Sequence, residues 1–142
     1  MKEKDLDFPN CLYFSSNSLS RIMTRMADEE FAVAGLSSSY AFLLMTVINK
    51  PGIRPKHISR QILLNPSTIT RLIEKMESRK LLKRKVVGRN TEVYPTRASL
   101  KLEPAIKQAW KNLNLRYTNI LGGKQAESLT SAIYLSTGLL NK

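Results

Sequence analysis

Polar and cationic side chains recur along a short segment that begins at Pro66. The polar positions are Ser67, Thr68, Thr70, Arg71 and Lys75, and the apolar positions between them are Ile69, Leu72, Ile73 and Met76. Because the apolar positions recur at three- and four-residue intervals, the segment is predicted to form a helix with one buried face. Hydroxyl and guanidinium groups can hydrogen-bond base edges in a DNA groove, whereas a lysine more often contacts a phosphate. The other face therefore suits contact with nucleic acid, and Arg71 is its best candidate for reading a base.

The residues around this helix predict a helix-turn-helix followed by a hairpin. Asn65 suits a helix N-cap, and Pro66 suits the first helical position, where a missing N–H costs nothing. A shorter helical pattern precedes the turn, over residues 56–63. After the helix, residues 81–87 are β-branched and basic, residues 88–90 have turn chemistry, and residues 91–94 are again extended. A β-hairpin at this position is typical of a winged helix-turn-helix.

Positive charge is concentrated on the same part of the chain, whose total net charge is +12. Between residues 54 and 101, thirteen Lys and Arg side chains stand against three Glu side chains, whereas the remainder holds ten cations and eight acids. A concentrated patch of this kind predicts contact with phosphates. A membrane surface could attract the same charge, but no amphipathic helix with aromatic anchors lies beside the lysines.

The segments that carry these predictions resemble the MarR family of bacterial transcriptional regulators. They are residues 66–77, the run Leu81-Leu82-Lys83-Arg84, and an arginine-tipped hairpin that closes at Pro95-Thr96. The resemblance is specific over residues 36–100 and continues outside them only as a helical pattern. It implies a single domain over residues 1–142, mainly α, with about six helices and a small β-hairpin wing. Residues 36–98 would form the winged helix-turn-helix module, and residues 8–35 and 99–142 would be dimerisation helices.

The same resemblance implies a function in transcription. Such regulators are usually repressors that bind a pseudo-palindromic operator as homodimers and are released by a small molecule or an oxidant. The implied partners are double-stranded DNA, a second copy of the chain, and a small apolar or aromatic effector. The residues expected to contact DNA are Ser67, Thr68, Thr70, Arg71, Lys75, Arg84, Arg89 and Asn90. Arg89, at the hairpin tip, would enter a minor groove. For Arg71 the competing interpretation is a solvated salt bridge with Glu74.

A basic architectural or RNA-binding protein could use the same wing without regulation, and it would bind in a salt-dependent, sequence-blind manner. Catalysis finds no support, because the sequence has no paired histidines, Gly-rich phosphate loop or Cys/His cluster. We therefore predict that the protein is not an enzyme, and we expect neither a cofactor nor a metal. His57, the only histidine, is interpreted as a surface residue near phosphates rather than a metal ligand.

Three features depart from the family pattern. Lys80 stands where a helix-ending glycine is usual, so a left-handed backbone there would cost roughly 1–2 kcal/mol. Gly88 and Asn90 flank Arg89 in place of an aspartate and a second arginine, which leaves open what orients Arg89. Residues 97–99 lack the glycine that often follows the wing.

Cys11 raises the question of redox sensing. A branch of the family senses organic hydroperoxides through a cysteine early in its first helix. Aligning the two patterns places Tyr13 rather than Cys11 at that position, and free cysteine is also common as an ordinary structural residue. The structural interpretation is favoured, and the redox one stays open.

Long helices with apolar stripes are predicted on both sides of the winged module, over about residues 9–31, 99–121 and 124–140. Pro104 fits a first helical turn, so the second of these could begin nearer Glu103. By resemblance the three helices interleave with those of a second protomer, and the alternative is that they pack on their own domain. Met23 and Met26 are interpreted as core residues, with the wall of an effector pocket as the alternative.

The sequence also predicts the cellular compartment of the protein. No apolar run approaches 18 residues, so no transmembrane span is predicted. Four of the first five residues are charged, with no apolar stretch after them, so no signal peptide is expected. A single cysteine excludes an internal disulfide framework and suits a reducing compartment. Together these features predict a cytoplasmic protein.

Overall fold

The computed structural model describes residues 5–142, which form six α-helices and one two-stranded antiparallel hairpin. The helices are α1 (Leu12–Phe31), α2 (Ser38–Asn49), α3 (Pro55–Ile62), α4 (Pro66–Ser78), α5 (Arg97–Leu121) and α6 (Gly123–Leu140), and the strands are β1 (Leu82–Val87) and β2 (Asn90–Pro95). The predicted mainly α architecture with a small hairpin wing is confirmed. Residues 1–4, on which the expectation of no signal peptide partly rests, lie outside the described part of the chain.

Helices α2, α3 and α4 and strand β2 enclose one apolar core, which α5 completes. Its fully buried side chains include Leu43, Leu44, Ile58, Ile69, Ile73, Met76, Val93 and Ile106. The α4 side of this core repeats the predicted stripe, except that Leu72 is only half buried. Since Ile106 belongs to α5, the winged module and the helix that follows it share a core. Met26 of α1 is also buried in this cluster, as the core interpretation of the methionines expects.

Side-chain caps and left-handed residues set the limits of the short helices. Asn65 caps α4 by accepting a hydrogen bond from the backbone N–H of Thr68 at 2.9 Å, as predicted. Between α3 and α4, Leu63 takes φ 58°, which closes the helix-turn-helix within a few residues. At α2, Ser37 occupies the N-cap position, but the capping oxygen is Oδ1 of Asp28, which accepts from the Ser38 N–H at 2.8 Å. A residue at the end of α1 thus fixes the start of the module.

Lys80 has the left-handed backbone that a glycine would adopt more easily. Its φ is 61°. The conformation is stabilised from two sides: the Thr96 hydroxyl donates to the Lys80 carbonyl at 2.8 Å, and the Leu81 N–H donates to the Met76 carbonyl at 2.9 Å. The second bond is the return contact that ends a helix in a Schellman-type cap. These contacts oppose the cost of placing a side chain at positive φ.

Helix α5 begins at Arg97, so a start near Glu103 is wrong. Thr96 is the N-cap: its hydroxyl accepts from the Ser99 N–H, and the Ser99 hydroxyl accepts from the Thr96 N–H, which together form a capping box. This reciprocal pair satisfies two free N–H groups and fixes the helix start before the proline. Pro104 therefore lies inside the helix. Its ring is exposed, on the opposite side from the buried Ile106.

The terminal helices expose many apolar side chains. Within one chain α6 buries only Ala126. The exposed apolar residues of α1, α5 and α6 include Leu12, Tyr13, Ile22, Leu115, Ile120, Ile133, Tyr134, Leu135 and Leu139. Packing on their own domain accounts for the inner faces of α1 and α5 but leaves these outer side chains uncovered. Over residues 5–142, each helix taken singly is too short or too polar to cross a membrane, although α1 and α2, bent by 60°, meet that criterion as a pair.

Candidate nucleic-acid interface

Helix α4 has one buried apolar face and one exposed polar face. Ile69, Ile73 and Met76 point into the core with at most 1% of their surface exposed, which fixes the rotation of the helix. Arg71 and Lys75 then lie on the exposed side. Within residues 5–142 neither side chain forms an ion pair, and Glu74 is not paired with Arg71. The competing interpretation of Arg71 as a salt-bridge partner of Glu74 is therefore not what the structure shows.

Two of the three hydroxyl groups near the start of α4 already donate hydrogen bonds to neighbouring residues. The Ser67 hydroxyl donates to Oδ1 of Asn65 at 2.7 Å, and the Thr70 hydroxyl donates to the Pro66 carbonyl at 3.0 Å. Each oxygen keeps lone pairs and can still accept a hydrogen bond. Thr68 is half buried and is the least accessible of the three. In this arrangement Ser67 and Thr70 suit contact with a donor, such as the amino group of adenine or cytosine.

The wing projects a basic tip. Strands β1 and β2 pair antiparallel, with Val87 opposite Asn90, so Gly88 and Arg89 alone form the turn. Gly88 takes φ 62°, a value that favours glycine at the first position of a two-residue hairpin turn. Arg89 and Asn90 are exposed at this end. The glycine that replaces the usual aspartate is therefore a turn residue, and it offers no carboxylate to orient Arg89.

Arg84 has a different environment from the other predicted contact residues. Its Nε lies 2.7 Å from Oε1 of Glu77, and its backbone N–H donates to Oε2 of the same carboxylate at 3.3 Å. Glu77 belongs to the last turn of α4, so this pair joins α4 to the first wing strand. Arg84 thus holds the wing against α4, whereas Arg89 lies at the far end of the hairpin. The sequence contains this pair only as an acid and an arginine seven residues apart, which is not a recognisable pattern.

Four cations lie near the start of α3. They are Lys50, Arg54, Lys56 and Arg60, and each acts electrostatically on the ring of His57. Loss of solvent contact is the largest cause that lowers the pKa of His57 below its usual value of 6.5, and the four cations lower it further. Arg54, Lys56 and Arg60 lie within three residues of His57 along the chain, and Lys50 lies seven residues before it.

A cavity of about 750 Å³ lies between the winged module and α5. Its lining is largely apolar and includes Phe42, Met45, Ile106 and Trp110, with Leu63 of the helix-turn-helix turn at one side. The charged groups at its wall are Glu103 and Lys107, which form an ion pair at 3.2 Å. The two methionines proposed as alternative pocket residues, Met23 and Met26, are not part of this lining.

Cys11 is free and exposed at the position just before α1. No group of three or more His, Cys, Asp or Glu side chains within residues 5–142 is arranged to hold a metal ion. Cys11 is not among the residues that line the cavity.

The structure is that of a winged helix-turn-helix protein with long flanking helices. Residues 36–86, most of the winged module, match the family model of the MarR family. No curated protein sequence matches the chain significantly. The resemblance to the MarR family is thus confirmed by the match over this module, and solved structures extend the likeness of fold to nearly the whole chain.

Three solved structures illustrate this likeness. The PcaV transcriptional regulator from Streptomyces coelicolor, in complex with its natural ligand, has a TM-score of 0.82 at 14% identity, over 94% of this chain and 96% of that one. The transcriptional repressor CouR, bound to a 23-mer DNA duplex, has a TM-score of 0.81 at 16% identity, over 96% and 99%. A Staphylococcus aureus MepR–DNA complex has a TM-score of 0.76 at 16% identity, over 92% and 96%. At these identities the similarity is one of fold.

Proposed function

We propose that the protein is a sequence-specific DNA-binding transcriptional regulator that binds a pseudo-palindromic operator as a homodimer. The observation that carries this proposal is the exposed face of α4, where Arg71 and Lys75 have no carboxylate partner in residues 5–142. Unpaired cations beside acceptor hydroxyls on a helix held by a buried stripe suit insertion into a major groove. Similarly folded proteins, MepR and CouR, have been solved bound to DNA, which supports the same role here.

The dimer follows from the terminal helices. Exposed apolar side chains on α1, α5 and α6 are too numerous for a solvated surface and suit burial against a second copy. A two-fold axis would make the two α4 helices equivalent, so that each reads one half of an inverted repeat. The dimerisation segments 8–35 and 99–142 contain these three helices.

The proposed contacts fall in the major groove and in a neighbouring minor groove of the DNA. Arg71 reads a base edge in the major groove, and Ser67, Thr68 and Thr70 contact bases or phosphates beside it. Lys75 contacts a phosphate, and Arg89 with Asn90 enters a neighbouring minor groove at the wing tip. Arg84, bound by Glu77, contributes mainly by holding the wing in place.

We infer that regulation acts through the cavity between the winged module and α5. Its apolar wall suits a small apolar or aromatic effector, and it touches Leu63 in the turn that sets the position of α4. The similar PcaV structure contains a natural ligand, which supports ligand control. Occupancy would shift the winged module and release the operator, so the protein acts as a repressor. The role is non-enzymatic and is carried out in the cytoplasm.

The test is selection of bound fragments from the source genome by the full-length protein, followed by titration of the best fragment against scrambled duplexes. We expect an inverted repeat bound at least about a thousandfold more tightly than scrambled DNA, as for specific regulators. Sedimentation at the same concentrations should show a dimer. Equal binding to all duplexes would instead indicate an architectural protein, and a monomer at operator-binding concentrations would contradict the dimer.

A further inference from the structure

The cavity between the winged module and α5 has one pair of charged residues among otherwise uncharged side chains. Glu103 and Lys107 lie one turn apart on α5, and Oε1 of the carboxylate is 3.2 Å from Nζ of the ammonium group. The other lining residues are uncharged. The wall of the cavity therefore carries no net formal charge, although the whole chain has a net charge of +12.

This pair gives a charged ligand little net attraction. An anion that approaches Lys107 also approaches the Glu103 carboxylate, so attraction and repulsion largely cancel. A cation meets the same two groups with the signs exchanged. Either ion must also lose part of its hydration in a largely apolar cavity, and that loss costs free energy unless an unpaired opposite charge compensates it. An uncharged ligand avoids this cost.

The uncharged polar groups at the wall can hydrogen-bond a neutral ligand. The side-chain amides of Asn49 and Gln61 are exposed and have no hydrogen-bond partner within residues 5–142. Each amide donates from its nitrogen and accepts at its oxygen. The Thr46 hydroxyl already donates to the Phe42 carbonyl at 2.8 Å, which leaves its oxygen as an acceptor. These groups suit a ligand that both donates and accepts, as an amide does.

Helices α2 and α5 each place one aromatic ring at the cavity wall. The rings belong to Phe42, which is 37% exposed, and to Trp110, which is 53% exposed. A planar aromatic ligand gains stacked or edge contacts with such rings beyond the burial of its apolar area. The volume of about 750 Å³ lies within the range of small-molecule sites. The shape and lining therefore suit a planar aromatic molecule.

We propose that the effector is an uncharged planar aromatic molecule with an amide-like hydrogen-bonding edge, and that the Glu103–Lys107 pair disfavours its charged analogues. The proposal rests on the ligand control proposed above. It names the chemical class of the ligand and the two residues that select against charge.

Three probes of nearly equal shape test the selection. They are 2-naphthamide, which is neutral, 2-naphthoate, which is an anion, and 2-naphthylmethylammonium, which is a cation. Calorimetric titration of the full-length protein at about pH 7.5 and about 0.15 M salt screens charges that lie far from the cavity. We expect 2-naphthamide to bind about tenfold more tightly than either ion, a modest factor because Lys107 is 63% exposed to screening solvent.

Variants of the pair should change the selection in opposite directions. Glu103→Gln leaves the Lys107 charge unbalanced and should raise the affinity of 2-naphthoate relative to 2-naphthamide about tenfold. Lys107→Met leaves the Glu103 charge unbalanced and should raise the relative affinity of 2-naphthylmethylammonium by a similar factor. The matched controls, Glu127→Gln and Lys124→Met, remove the same charges from α6, outside the cavity lining. They should leave both affinity ratios unchanged.

A further variant tests the hydrogen-bonding edge. Asn49→Leu/Gln61→Leu removes the two free amides and should weaken the binding of 2-naphthamide about three- to tenfold, the range expected for the loss of one or two hydrogen bonds. Unchanged binding of 2-naphthamide by this variant would contradict the amide-like edge. Thermal unfolding of each variant verifies that it is folded.

The outcomes distinguish this proposal from the function on which it rests. Binding of 2-naphthoate by the wild type as tightly as 2-naphthamide would overturn the selection for an uncharged ligand. Wild-type affinity ratios in Glu103→Gln and Lys107→Met would overturn the role of the pair. Binding of none of the probes by a protein that still binds its operator would overturn the ligand class and leave the DNA-binding function standing. Failure to bind duplex DNA would instead overturn the regulator function, whereas the calorimetric selection is measured without DNA.

Discussion

The winged module and the terminal helices differ in how much of their apolar surface is buried within one chain. In the module, Leu43, Leu44 and Ile69 are completely buried within one chain. In the terminal helices, Leu12, Ile120 and Tyr134 remain more than two thirds exposed. The core that the module shares with the inner faces of α1 and α5 is therefore complete within one chain, whereas the outer faces of the terminal helices leave apolar surface that a second molecule can cover. Burial in this shared core should not depend on protein concentration, whereas burial of the outer faces should depend on it.

The largest expected effect tests the core of the module. Leu44→Ala removes a completely buried side chain from α2 and should lower the free energy of unfolding by about 2–5 kcal/mol. Denaturant titration at two protein concentrations measures it. Val86→Ala, at an exposed position of β1 outside the dimerisation helices, is the control and should cost much less. Equal losses in the two variants would contradict the burial of Leu44 in the core.

The next effect tests the terminal helices as a dimer interface. Leu135→Glu places a charge on the apolar face of α6 and should weaken dimerisation by about 2 kcal/mol or more, since a buried unpaired charge is costly. Sedimentation over a range of concentrations measures the dissociation constant. Gln125→Glu adds the same charge at an exposed polar position of α6 and should have little effect. Unchanged dimerisation of Leu135→Glu would place the interface elsewhere.

A smaller effect on DNA binding distinguishes the role of α4 from that of the wing. Arg71→Ala should weaken binding to the best operator by about 1–3 kcal/mol and flatten the preference at one base pair in each half-site. Arg89→Ala should weaken binding to many sequences and alter mainly the preference for flanking A·T content. Both variants are titrated against an operator library at two salt concentrations. Uniform weakening by Arg71→Ala, with a changed central preference for Arg89→Ala, would reverse the assignment.

The smallest expected effect concerns Cys11. Because its side chain is exposed just before α1, Cys11→Ser should change the free energy of unfolding by no more than about 0.5 kcal/mol. We also expect the response of operator binding to an organic hydroperoxide to be the same in both proteins. Electrophoretic mobility shifts with and without the oxidant measure this. Loss of a clear wild-type response in the variant would establish a redox role.

The local elements could be predicted from the sequence because short-range physics sets them. The apolar spacing of α4, the Asn65 cap and the two-residue turn at Gly88 each depend on residues only a few positions apart. The start of α5 was ambiguous in sequence, since Pro104 suits a first turn. The reciprocal bonds of Thr96 and Ser99 decided it.

The candidate site was predictable only where it lies on one element. Sequence periodicity placed Arg71 and Lys75 on the exposed face of α4, because a buried stripe determines its opposite face. It could not show that Arg84 is bound by Glu77, or that Asp28 of α1 caps the start of α2. Those arrangements depend on how helices and hairpin pack against one another. Electrostatic contacts between elements follow from that packing, so only the tertiary structure decided them.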